Sequence, residues 1–239
     1  PAIETLLADG VAVNITLLFA VEAYEEVART YIRALDRRRS EGKSLDVASV
    51  ASFFVSRIDS LVDSLLEKRA EQAGSDAERA GILGLRGQTA IANAKLAYRS
   101  YERIFAGEPW TSLAAAGARV QRPLWASTGT KNPAYSDLLY VENLVGPDTV
   151  NTLPEKTLLA LLDHGRDLGD TVLEGVDEAR RTLGELADLG IDVEALGEKL
   201  QGEGVVLFER SYDELLAVVE ERRRAALRES AQTVRIRPK

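Results

Sequence analysis

Three stretches of this 239-residue sequence place polar side chains where strands end and loops begin. In VAVNITLLF (11–19), Asn14 and Thr16 stand two apart, so on a strand they share one face of an otherwise apolar run. If that face were ordinary core, each polar group would cost about 1–3 kcal/mol when left unpaired. Two readings follow: groups that face a ligand, or residues satisfied by neighbouring backbone. In SFFVSRID (52–59), Ser52 and Phe54 share a face, and Arg57 lies just beyond, where the start of a following helix helps it bind an anion. A surface pair between Arg57 and Asp59 is the plainer alternative. In WASTGTKNP (125–133), Ser127, Thr128, Gly129, Thr130 and Lys131 have the ingredients of a phosphate cradle without Walker A spacing, and the alternative is a polar loop. Arg57 and Lys131 at successive strand ends would bring two cations to one mouth of an acidic protein, which suits a sugar phosphate. His164 closes a helical run and reads as a C-terminal cap rather than a base.

Composition narrows the chemistry. With 30 Lys plus Arg against 38 Asp plus Glu, the net charge of −8 argues against nonspecific binding to nucleic acid or to anionic membrane. Zero Cys excludes disulfides, thiolate metal sites and cysteine nucleophiles, and the single His argues against a histidine triad or a multi-histidine metal site. Carboxylate, hydroxyl, amide, Lys and Arg remain. The early apolar run is shorter than the roughly 20 residues of a membrane span and lacks a basic leader, so a cytoplasmic protein is expected. The chain begins at Pro1 and has no Met, from which an N-terminal segment preceding it is expected.

The elements that must hold these residues alternate. Residues 1–9 read as the end of a helix. Strands are expected at 11–19, buried on both faces, then at 45–55, 119–127 and 148–152. Helices are expected at 22–39, from 56 to 66, within 76–105 where Gly81, Gly84 and Gly87 weaken the pattern, and at 112–116. Beyond Pro154, helices at 155–163, 173–189, 192–201 and 211–228 are separated by breaks at Gly190, Gly202 and Gly204. Four strands, each followed by helical material, make a parallel α/β fold, either half of an eight-fold barrel or a small doubly wound sheet. The leading helix fragment favours the half-barrel. The whole chain is read as a single domain, with barrel units over 1–165 and a C-terminal helical extension over 166–239.

NITLLF at 14–19, SFFVSRID at 52–59, WASTGTKNP at 125–133 and NTLPEKTL at 151–158 follow in an order and at a spacing that resemble transaldolase in its longer bacterial form. The GID, EGV and FERSYDELL stretches between 190 and 216 are similar to that family as well. The resemblance implies a (β/α)8 TIM barrel, of which this chain carries the C-terminal half, strands five to eight, plus C-terminal helices. It also implies a transferase of the pentose phosphate pathway. Such an enzyme moves a dihydroxyacetone unit from sedoheptulose 7-phosphate to glyceraldehyde 3-phosphate, giving erythrose 4-phosphate and fructose 6-phosphate. A lysine Schiff base serves as the electron sink and no cofactor or metal is needed.

Carried over by position, Asn14 would hydrogen-bond the Schiff-base intermediate, Thr16 would hold the catalytic water and Ser52 would contact substrate hydroxyls. Phe54 would shape the pocket, Arg57 would bind phosphate, and Ser127 and Lys131 would fall in the phosphate loop. The Thr-Gly-Thr-Lys version of that loop departs from the Ser-Phe-Arg arrangement of many relatives. In the family, the Schiff-base lysine and the acid/base carboxylates lie ahead of the stretch that residues 1–9 resemble, so they are expected upstream of this sequence. Of the seven lysines present, Lys131 alone stands at a strand end, and a neighbouring phosphate would raise its pKa, which suits phosphate binding better than nucleophilic attack. The alternatives are a non-catalytic half-barrel that binds sugar phosphate or pairs with the missing N-terminal half, and a related Schiff-base aldolase of phosphosugars.

Overall fold

A computed structural model describes residues 1–235, with side chains to residue 228; the last four residues of the expected extension lie outside the described residues. The chain resolves into two compact units, 1–200 and 201–239. The first opens with α1 (Ala2–Ala8), β1 (Val13–Leu18) and α2 (Val21–Ser40), followed by β2 (Ser49–Phe54) and α3 (Ser56–Ala70). Then come α4 (Asp76–Gly84), α5 (Thr89–Ile104), α6 (Trp110–Ala115), β3 (Arg122–Ala126), α7 (Leu139–Asn143), β4 (Val150–Asn151) and α8 (Glu155–His164). After a 3-10 turn at Thr171–Leu173 come α9 (Val176–Asp188) and α10 (Val193–Arg235), which continues into the second unit.

The four strands form one parallel sheet in the order β1-β2-β3-β4, so strands adjacent in sequence are adjacent in space. With helices between successive strands, this is the arrangement of half a (β/α)8 barrel. Ile15, Ala51, Phe53 and Trp125 take one face of the sheet and are buried in the main core with residues of α2, α3, α5 and α9. The Phe53 and Trp125 rings meet edge to face at 6.2 Å, and the indole N–H donates to the Leu144 carbonyl (2.9 Å). A second cluster joins Leu7 of α1, Tyr31 and Leu35 of α2, Val47, and Trp110 and Leu113 of α6.

The structure corrects three expectations and adds one element. β1 is not buried on both faces: Ile15, Leu17 and Leu18 are buried, while Asn14 and Thr16 are exposed. The 76–105 helix is divided into α4 and α5 by a turn at residues 85–88, where Gly87 adopts φ 72°, a conformation that favours glycine. Conversely, Gly202 and Gly204 do not interrupt α10, because an isolated glycine costs a helix only about 1 kcal/mol. Gly190, at φ 76°, does separate α9 from α10. Finally, α7 has five residues and too little periodicity to be read from the sequence. Pro123 is accommodated in β3 because β4 pairs only with Leu124 and Trp125, leaving its neighbour on that side unpaired.

Candidate functional site

The sheet face opposite the helix core carries Asn14 and Thr16 of β1 and Ser52 and Phe54 of β2, at alternate positions along their strands. The Ser52 hydroxyl donates to the Asn14 side-chain carbonyl oxygen (2.6 Å). Asn14 is the second residue of β1 rather than its end, so this contact lies in the body of the sheet. Beyond Thr16 the β1–β2 register shifts, and Leu17 takes a left-handed φ of 63°. That bulge turns the chain towards Phe19, whose ring lies 5.2 Å from that of Phe54.

Arg57 occupies the first turn of α3, half-buried, with its guanidinium carbon 5.4 Å from the centroid of the Phe54 ring. The expected surface pair with Asp59 does not form: Asp59 is buried and accepts from the Ala90 N–H (2.7 Å) and the Tyr140 hydroxyl (2.8 Å). Burial pushes its carboxyl up to about 7, opposed by those two hydrogen bonds and reinforced by nearby Asp63. Among the described residues, no carboxylate forms an ion pair with Arg57, which leaves the guanidinium N–H groups available to an anion.

At the end of β3 the backbone pairing continues past the strand: Val55 N–H donates to Ala126 and Ser56 N–H to Ser127. Ser127 has φ 58°, and its hydroxyl lies 2.9 Å from that of Ser56. Thr128 is fully buried and donates to the Asn151 side chain (2.8 Å). Neighbouring strands are therefore bridged by hydrogen bonds between side chains at or near their ends: Asn14 with Ser52, Ser56 with Ser127, and Thr128 with Asn151, while Gln121 donates to Ser49 (2.8 Å) at the opposite end of the β2–β3 pair. Ser56, Thr128 and Asn151 were within the quoted motifs, but their pairing depends on register, which the motifs do not contain.

Lys131 is exposed and lines a cavity of about 250 Å³ with Asp59, Asp63, Glu67, Tyr135 and Tyr140. Arg57 does not line that cavity, so the two cations approach the β2 and β3 ends from different surroundings. The helix side holds another lysine of note. Burial lowers the pKa of Lys95 on α5, and its ammonium donates to the Glu174 carbonyl (2.8 Å) among α5 and α9, away from the polar sheet face. His164 ends α8, but its ring nitrogens face carboxylates instead of the last-turn carbonyls, 3.1 Å from Asp137 and 3.2 Å from Asp163, and these two groups raise its pKa. The loop after β1 is fixed from behind: the Asn93 amide donates to the Phe19 carbonyl (2.7 Å) and Glu194 accepts from the N–H groups of Val21 (3.0 Å) and Glu22 (3.4 Å).

The profile of the transaldolase/fructose-6-phosphate aldolase family matches residues 1–219. Transaldolase 1 of Streptomyces avermitilis is 50% identical over 220 residues, covering 92% of this chain and 56% of that protein. The transaldolase of Mycolicibacterium smegmatis is 48% identical over 217 residues, covering 90% of this chain and 56% of that protein. A transaldolase of Acidothermus cellulolyticus is 50% identical over 220 residues, 92% of this chain and 57% of its own. The chain thus spans a little over half the length of these relatives, and across that span it belongs to the transaldolase/fructose-6-phosphate aldolase family.

Proposed function

We propose that the chain is part of a transaldolase, a transferase that moves a dihydroxyacetone unit from sedoheptulose 7-phosphate to glyceraldehyde 3-phosphate through a lysine Schiff base. Residues 1–165 then supply strands five to eight of the barrel and 166–239 its C-terminal helices. The observation that carries this reading is Arg57, at the start of α3, lying over Phe54 and without a carboxylate partner among the described residues, beside a sheet whose polar face presents Asn14, Thr16 and Ser52. A guanidinium that lies over an aromatic ring, with no carboxylate paired to it among the described residues, keeps N–H groups for contact with phosphate.

The roles follow from position. The Asn14 amide, oriented by Ser52, is placed to hydrogen-bond a nitrogen or hydroxyl of a covalent intermediate above β1. Exposed Thr16 is suited to holding a water on the same face. Phe54 walls the pocket, while Arg57, Ser127 and Lys131 form the phosphate end. No residue of this sequence is assigned as the amine nucleophile, since Lys131 belongs to the phosphate end and Lys95 to the helix side. The partners proposed are phosphorylated sugars rather than nucleic acid or membrane. No helix of the described residues is long and apolar enough to cross a membrane, and the proposed location is the cytoplasm.

Borohydride reduction of the native polypeptide with fructose 6-phosphate tests the chemistry. A dihydroxyacetone-derived adduct on a lysine is expected, and no adduct would overturn Schiff-base catalysis. Binding tests the site itself: fructose 6-phosphate should bind more tightly than fructose.

A further inference from the structure

Behind the phosphate end lies a polar assembly to which the proposed reaction gives no role. Asp59 and Asp63 are one helical turn apart on α3, and both are buried. Each accepts one hydrogen bond from the turn before α5 or its first residues, and one from a tyrosine beyond β3. Asp59 takes the Ala90 N–H (2.7 Å) and the Tyr140 hydroxyl (2.8 Å). Asp63 takes the Gly87 N–H (3.0 Å) and the Tyr135 hydroxyl (2.6 Å). Gly87 is needed for this approach, because a Cβ there would stand 2.9 Å from the Tyr135 ring.

The loop gripped in this way is the one that carries Ser127 and Lys131. It is also closed on itself: Thr130 donates to the Ser136 carbonyl (2.9 Å) and the Tyr135 N–H to the Asn132 carbonyl (3.1 Å). A displacement of Tyr135 is therefore passed to Lys131 rather than absorbed between them. The helix that does the gripping carries Arg57 in its first turn. Burying two carboxylates is an expensive way to join a helix to a loop, since apolar contacts would hold it with no desolvation cost. What short hydrogen bonds from a tyrosine hydroxyl to a carboxyl add is a set distance and angle.

We propose that Asp63 and Tyr135, backed by Asp59 and Tyr140, are positioning residues that hold the 127–138 loop at a fixed place relative to Arg57, so that both sides of the cradle meet one phosphate. The inference rests on the phosphate-binding role proposed above.

The test measures dissociation constants for fructose 6-phosphate and fructose by calorimetry, with hydrogen–deuterium exchange over 127–138, on the full chain and on Tyr135→Phe and Asp63→Asn. Tyr135→Phe keeps the ring against Gly87 and removes only the hydroxyl. Each variant should bind fructose 6-phosphate roughly five- to twentyfold more weakly, leave fructose binding unchanged and speed exchange in the loop. Equal weakening for both sugars would show a general structural role and overturn the proposal. So would faster loop exchange with phosphosugar affinity intact, or exchange that does not change. If the unsubstituted chain binds both sugars equally, the phosphate-binding reading itself fails and the positioning role with it, whereas failure confined to the variants leaves that reading standing.

Discussion

The Arg57 guanidinium lies 5.4 Å from the centre of the Phe54 ring, and Phe54 is packed in turn against Phe19 at 5.2 Å. The three side chains come from the β1 end, the β2 end and the first turn of α3, so the cation rests on an aromatic pair, with no counter-ion among the described residues. Arg57→Ala should weaken fructose 6-phosphate binding about ten- to a hundredfold, the loss of a charge-assisted hydrogen bond of roughly 1.5–3 kcal/mol. The melting temperature should move little, because no ion pair is broken. An unchanged affinity with a collapsed melting temperature would make Arg57 structural. Phe54→Ala should lose roughly 0.5–2 kcal/mol of the same binding through the missing platform, and should also destabilise the fold by opening a gap beside Phe19.

The strand bridges differ in what their loss exposes. Ser52→Ala should cost only about 0.5–1.5 kcal/mol in urea unfolding, since Asn14 is exposed and can turn to water. Asn151→Ala strips its side-chain acceptor from Thr128, which is fully buried and keeps only the Thr152 carbonyl at 3.3 Å. A loss of about 1–3 kcal/mol is expected there. Equal losses in the two variants would refute this ranking.

Two helical glycines should respond to alanine with opposite signs. Gly184 of α9 is exposed and a Cβ there would touch nothing within 4 Å, so Gly184→Ala should stabilise by about 1 kcal/mol through helix propensity. At Gly197 of α10 a Cβ would stand 2.9 Å from the Ala20 Cβ and 3.2 Å from the backbone of Ala20 and Phe19. Backbone cannot yield as a side chain does, so overpacking of about 1–3 kcal/mol outweighs the same propensity gain. Urea midpoints at unchanged m-value decide both signs.

A single histidine permits a clean titration. Asp137 and then Asp163 raise the pKa of His164, so its ring should titrate above the usual 6.5 in the folded chain, visible as one imidazole signal by NMR. The sign for stability follows: the contribution is complete below 6.5 and is lost as pH rises through the higher folded value. Asp137→Asn should bring the ring back towards 6.5, and a signal that does not move would exclude the pair.

The strand and helix alternation was legible because parallel strands are near-continuous apolar runs, and VAVNITLLF and SVASFF sit between plainly helical stretches. Asn14 with Thr16, and Ser52 with Phe54 and Arg57, were legible as groups because their spacing within each motif is local, whereas the Asn14–Ser52 contact spans 38 residues and was not. Nor was Asp59. Its alternative as a surface partner of Arg57 followed from two positions of separation, whereas its true partners lie 31 and 81 residues away. For β1, Asn14 and Thr16 marked one face as a candidate ligand side, but the apolar run around them does not say which face meets a helix, so burial on both faces was the wrong expectation. Gly202 was misjudged as a break because propensity is a weak prior within a 43-residue helix.

Sheet order and the Glu194 cap have different consequences for a chain that emerges from its N-terminus. Every strand pairs with its successor, so each new unit can dock onto an edge already made. The cap on α2 instead joins Val21 to a residue 173 positions later. At about 5–20 residues per second of synthesis, α2 waits roughly ten to thirty-five seconds between its own appearance and that of its cap. Assembly of the sheet can proceed with translation, but the final locking of the loop behind Phe19 waits until Glu194 has been made.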